Sequence, residues 1–140
     1  MSEETNEKRI AHLGFIQGVI ARMAGNLFYL RGWVVTIIAG ILVLLTQTTS
    51  GKLPIIFLSG IIVIFWGYDG YFLALERKFR DLYDEVREKK ESEIDFSMKF
   101  SKAILDRKQN SIIFCIFSPT LRYFYGPLLL ATLCVIFFLK

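Results

Sequence analysis

WVVTIIAGILVLLTQT (33–48), TSGKLP (49–54) and IIFLSGIIVIFWGYDGYFLAL (55–75) decide the fold. The first run carries no charge, and the run from Leu53 to Leu75 carries one, Asp69. Each approaches or reaches the roughly 17–25 apolar residues that span a bilayer as a helix. Between them, Gly51 breaks one helix and Pro54 suits the first turn of the next. The stretch therefore predicts a hairpin of two membrane helices.

The rest of the chain follows from this hairpin. Residues 111–140 are too few for two further spans. Pro119 and Arg122 interrupt them, which predicts an interfacial helix over 112–117, a break at Ser118–Pro119, and a third span over about 121–139. Gly126–Pro127 lies inside that span, where proline is tolerated. The whole chain is 54% hydrophobic and 15% aromatic, with 13 phenylalanines in 140 residues. A soluble domain carries about 45–50% apolar residues, so composition agrees with a membrane class. Cys115 and Cys134 both sit in apolar stretches without metal-ligand spacing and are expected to be free.

Charge placement sets the orientation. Fifteen of the 17 Lys and Arg residues precede span one or lie between spans two and three, leaving Lys52 and Lys140 on the other side. Cytoplasmic loops carry the basic excess. The N-terminus and the central segment are thus predicted to be cytoplasmic, and the C-terminus outward. The opening MSEETNEKRI lacks an apolar core and predicts no cleavable signal peptide.

Upstream of span one, apolar residues recur at Leu13, Ile16, Ile20, Met23, Leu27, Leu30, Val34, Ile37, Ile41 and Leu44. Steps of three and four describe one helix seam running from the cytoplasm into the membrane. It fits an intramolecular hairpin against the helix of span two, or an interface between copies. Small residues at Gly14, Gly18, Ala21, Gly25, Gly32 and Gly40 lie beside it and permit close backbone approach. Beyond span two, Phe72, Leu75, Phe79, Leu82/Tyr83 and Val86 continue a helical stripe, with Glu76, Arg77, Arg80, Asp81, Asp84 and Arg87 assigned to the wet face. Glu76–Arg80 and Glu85–Lys89 are i,i+4 pairs. DFSMKFSKAILDRK (95–108) predicts a short basic amphipathic helix capped by Asp95. Such a helix suits the inner membrane surface or an anionic ligand.

Four regions result: a cytoplasmic amphipathic N-terminal helix (1–32), membrane helices one and two with their outer turn (33–75), cytoplasmic helices (76–110), and an interfacial helix with membrane helix three (111–140). The expected class is an all-α integral membrane protein with three transmembrane helices and long cytoplasmic extensions, forming a symmetric homo-oligomer.

No catalytic constellation, metal-ligand cluster or phosphate-cradling loop is legible, so an enzyme is not expected, nor a cofactor. The single histidine, His12, has no partner acid or nucleophile in its sequence context and reads as a surface or interface residue. Asp69 is the outlier, because a carboxylate at membrane depth needs a partner, a proton or water. Arg31 and Arg122 are the candidate partners for a buried ion pair; a pore or ion pathway is the other reading. Gln17, Arg22 and Asn26 are candidates to line a wet path on the stem. Arg87, Lys89, Lys90, Lys99 and Lys102 are candidates for an anionic ligand, and Tyr29, Tyr83 or Phe79 for base stacking.

Three strings, HLGFIQGVIARMAGNLFYLRGW (12–33), WGYDGYFLALERKFRDLYDEVR (66–87) and FYGPLLL (124–130), together resemble the HalA-type membrane effectors of Hailong anti-phage defence systems. The resemblance spans most of the chain. It implies a tetrameric inner-membrane ion channel held closed by an oligodeoxyadenylate that a partner nucleotidyltransferase makes. Loss of the signal would open the channel and depolarise the cell. The alternatives are a non-catalytic adaptor docking a cytoplasmic partner and direct membrane disruption without an ordered pore.

Overall fold

The computed structural model describes residues 2–47, 53–90 and 93–138, with side chains at 6–43, 53–90 and 93–135. Every regular element among them is helical: α1 (Ser2–Gln47), α2 (Leu53–Glu88), α3 (Lys102–Leu105), a 3-10 turn (Lys108–Asn110), α4 (Ile112–Ile116) and α5 (Pro119–Phe138). At 1.5 Å per residue, α1 is about 69 Å long and α2 about 54 Å. Both outlast a hydrocarbon core of about 30 Å, so each carries a wet stem beyond its apolar half.

Two helices, α1 and α2, are long and apolar enough to cross a membrane. In their most apolar 18-residue windows only 11% and 28% of residues are buried. The core helix of a soluble protein would be mostly covered, so these exposed apolar faces point to a lipid surround.

The long seam on α1 meets α2, as the hairpin reading requires. Ile16, Ile20, Leu27 and Val34 are buried, while Leu13, Met23, Leu30, Ile37 and Ile41 are half-buried. Leu44 lies outside the residues with described side chains. Two clusters hold the fold. In the stem, Ile16 and Ile20 pack with Leu82, Val86 and Ile104, flanked by Phe79, Tyr83 and Phe100. In the apolar half, Val34, Leu58 and Ile62 pack with Leu121 and Tyr125 of α5.

The break before α5 falls where expected. Pro119, which lacks an N–H, occupies the first helical position, and the Arg122 N–H closes the first turn on the Ser118 carbonyl at 3.0 Å. The helix then runs through Pro127 to Phe138. Cys115 and Cys134 are free thiols.

Two expectations are corrected. Residues 95–108 do not form one amphipathic helix: 94–101 are irregular and only Lys102–Leu105 is α-helical. The side chains of the segment compete for its backbone. Asp95 Oδ1 accepts the Ser97 N–H (3.1 Å) and Ser97 Oγ accepts the Lys99 N–H (3.2 Å), turns that exclude a helix. Ser101, not Asp95, caps α3 by accepting the Ile104 N–H. The segment instead straps the stem, with Phe96 against His12 and Phe100 edge-on to Phe79 at 4.9 Å. The second correction is Glu76, which the helical stripe places on the wet face and which is 6% exposed. Its charge is met by Arg80 at 2.7 Å, so the pair forms while one partner is covered.

Candidate functional site

The junction between the stem and apolar clusters holds a polar core. Asp69 on α2 is fully buried. Arg31 reaches it from α1 through two forked hydrogen bonds, Nε to Oδ2 at 2.8 Å and an Nη to Oδ1 at 3.3 Å. Tyr125 of α5, itself fully buried, donates its hydroxyl to Oδ2 at 3.1 Å. One carboxylate thus ties three helices, in the fork geometry that makes arginine–carboxylate pairs strong. Arg31 keeps 30% of its side chain exposed and lies 5.9 Å from the Phe124 ring centre.

Neighbours lock this core. Trp66 stacks on Tyr125 at 5.8 Å with an 11° interplanar angle and donates its Nε1–H to the Ile116 carbonyl at 2.8 Å. Gly70, one residue from Asp69, touches α4: a Cβ there would lie 2.3 Å from Ile116 Cγ1 and 3.1 Å from its Cα. Only glycine permits that approach.

Of the two partners predicted for Asp69, Arg31 is found there and Arg122 is not. Arg122 is exposed and lies 5.8 Å from the neighbouring Tyr123 ring. Sequence reasoning missed Tyr125, because a tyrosine in an apolar run reads as packing; its hydroxyl, needing a partner when buried, was the available signal.

The other candidates are dispersed. Gln17, Arg22 and Asn26 are all exposed on α1. Tyr29 is 67% exposed and edge-on to Phe28, whereas Phe79 and Tyr83 are used in the stem cluster. Arg87 already pairs with Asp84 at 3.3 Å and Lys89 with Glu85 at 2.9 Å. Lys90, Lys99 and Lys102 carry no ion pair among the described residues. A hollow of about 560 Å³ between the end of α2 and residues 101–107 is lined by Asp81, Asp84, Glu85 and Glu88 as well as Arg87 and Arg107. Its acids offset the basic charge a phosphate would need.

The strap is held to the stem by titratable groups. Ser101 Oγ donates to Glu85 Oε2 at 2.7 Å, and Glu85 also accepts from Lys89. The Lys89 ammonium, and then the Ser101 hydroxyl, hold the Glu85 carboxyl below the ordinary value of 4.5. Glu85 in return raises Lys89 above 10.5. A depressed carboxyl stabilises the fold above its unfolded value, and that contribution fades as pH falls through the lowered one. A raised amine does the reverse: its contribution is complete below 10.5 and lost above. The strap should therefore be best held between these limits. Hydrogen-exchange protection factors at Ile104 and Leu105 are expected to drop as pH falls below about 4.5, and Glu85→Gln to flatten that drop. Equal acid sensitivity in the variant would exclude Glu85 as its origin.

Among the described residues no group of histidine, cysteine and acidic side chains is placed to hold a metal ion. No protein-family profile matches the chain, and no similar protein was found among the curated sequences or the solved structures.

Proposed function

We propose that this chain is the subunit of an oligomeric ion channel in the bacterial inner membrane, an anti-phage effector gated by a nucleotide or oligonucleotide signal on its cytoplasmic stem. The observation that carries the channel reading is the continuity of α1 and α2 from stem into apolar half, with the buried Arg31–Asp69–Tyr125 core at the passage. Membrane-buried charges are expensive and mark ion pathways and moving parts. Continuous helices give a signal on the stem a physical route to the membrane. The third span is α5, and the N-terminus lies inside by the positive-inside rule. Defence and the oligodeoxyadenylate signal rest on the resemblance to HalA-type effectors alone.

An adaptor role is favoured by one feature. Ile10 and Phe15 are 62% and 71% exposed on the stem, about 24 Å or more along α1 from Arg31 at 1.5 Å per residue. Apolar groups so far from the junction suit a docked protein.

Reconstitution separates the two. Purified protein in planar bilayers is expected to give discrete conductance steps that oligodeoxyadenylate suppresses. Graded leakage without steps would indicate unordered disruption. Silence with and without oligonucleotide would overturn the channel and leave the adaptor.

A further inference from the structure

Two hollows on the stem share a wall. One, about 350 Å³, is lined by Lys8, His12, Phe15 and Phe96. The other, about 590 Å³, is bordered by His12, Phe15, Phe96, Arg22 and Met98. The Phe96 ring stands edge-on to His12, 5.6 Å between centres, where the hollows meet.

The partition is poorly made as packing. His12 is 4% exposed and its Nε2 has no hydrogen-bond partner, although buried polar atoms ordinarily have one. Phe96, the only non-glycine residue with positive φ among those described, sits at 54°, a region that bulky residues enter only under constraint. Its ring remains part-exposed, the residue being 47% exposed. The phenyl group is therefore held in a strained conformation edge-on to an imidazole whose Nε2 it cannot hydrogen-bond.

We propose that the position of the Phe96 ring beside His12 is a binding site for a flat aromatic anion, and that Phe96 is a displaceable stand-in for the ligand's ring. Shape supplies the first half of this assignment: an aromatic ring already fits the position, and Phe15 offers an apolar wall. A polar group on the ligand's edge would satisfy Nε2, a gain that Phe96 cannot provide. Charge supplies the second half. Arg22 borders the wider hollow, is exposed, and makes no hydrogen bond or ion pair among the described residues. Asp95, the nearest acid in sequence, is engaged in its own turn with Ser97. Departure of the Phe96 ring joins the two hollows, and the Ser101–Glu85 contact holds the strap beyond it. The site does not depend on the channel reading.

The single histidine makes the test specific. Full-length chain, purified through a histidine-free tag into phosphatidylcholine nanodiscs, carries ring-15N histidine and is titrated with indoxyl sulfate. Indole and inorganic sulfate serve as charge-free and ring-free controls. In Phe96→Ala a saturable shift of the His12 Nε2 resonance is expected, at least about tenfold tighter than in the unaltered chain. Phe96→Asn, which tolerates positive φ, should behave alike, guarding against a folding defect in one variant. Adding Arg22→Gln should weaken binding about tenfold. The site is overturned if indoxyl sulfate leaves the His12 signal unmoved in both Phe96 variants. Affinity unchanged or lowered by removing the ring would overturn the stand-in role. Indole binding as tightly as indoxyl sulfate would overturn the anion.

Discussion

Arg31→Met is expected to cost the fold about 3–5 kcal/mol, the range for stranding one member of a buried ion pair. The asymmetry of the pair gives this its direction. Asp69 has no solvent exposure while Arg31 retains 30%. Removing the arginine leaves a carboxylate at the junction with only the Tyr125 hydroxyl as partner. Removing the carboxylate, in Asp69→Leu, frees a guanidinium that can rehydrate. It leaves one buried hydroxyl unmet, a loss of about 1–3 kcal/mol. The double variant should recover much of the larger loss, since an apolar replacement of both partners is often near neutral. Thermal unfolding in detergent, followed by circular dichroism over the full cycle, measures this. An Asp69→Leu loss equal to or above that of Arg31→Met would contradict the burial argument.

Gly70→Ala should cost about 1–3 kcal/mol by overpacking, an effect out of proportion to one methyl group. The added carbon would collide with Ile116 at its side chain and press on its backbone. Ile116 also accepts the Trp66 indole N–H, so displacing α4 breaks that bond and loosens the stack on Tyr125. Gly67→Ala is the internal control, because nothing lies within 4 Å of a Cβ there. In a helix interior it should be neutral or stabilising by up to about 1 kcal/mol. Trp66 emission in a Trp33→Phe background should shift to the red in Gly70→Ala and stay put in Gly67→Ala. A red shift in both would make the effect one of helix propensity rather than of the α4 contact.

The long helices were legible because their signals are strong and redundant. An uncharged run, a Gly–Pro turn and an unbroken seam all agree on α1 and α2. The partner of Asp69 was half legible: a charge at membrane depth demands an opposite one, but Arg31 and Arg122 are equally basic in the sequence. Helix rotation decides between them, and that depends on packing. The strap failed for a local reason. The Phe96, Phe100 and Ile104 spacing matches a helix, yet Asp95 and Ser97 each bond nearby backbone and hold the chain open until Ser101 caps α3. The burial of His12 is not legible locally, since its cover comes from Phe96, 84 residues away in the chain.

The tie between Arg31 and Asp69 makes a fulcrum of the junction. Two stiff rods packed on both sides of one tie cannot part at one end without loading the contacts at the other. Along α1, His12 lies about 28 Å from Arg31 on one side and Val43 about 18 Å on the other, at 1.5 Å per residue. Opening the stem at His12 would therefore press Val34 onto Leu58 and Ile62, already packed beyond the tie. The ratio of those two arms is set by where one ion pair sits in the sequence.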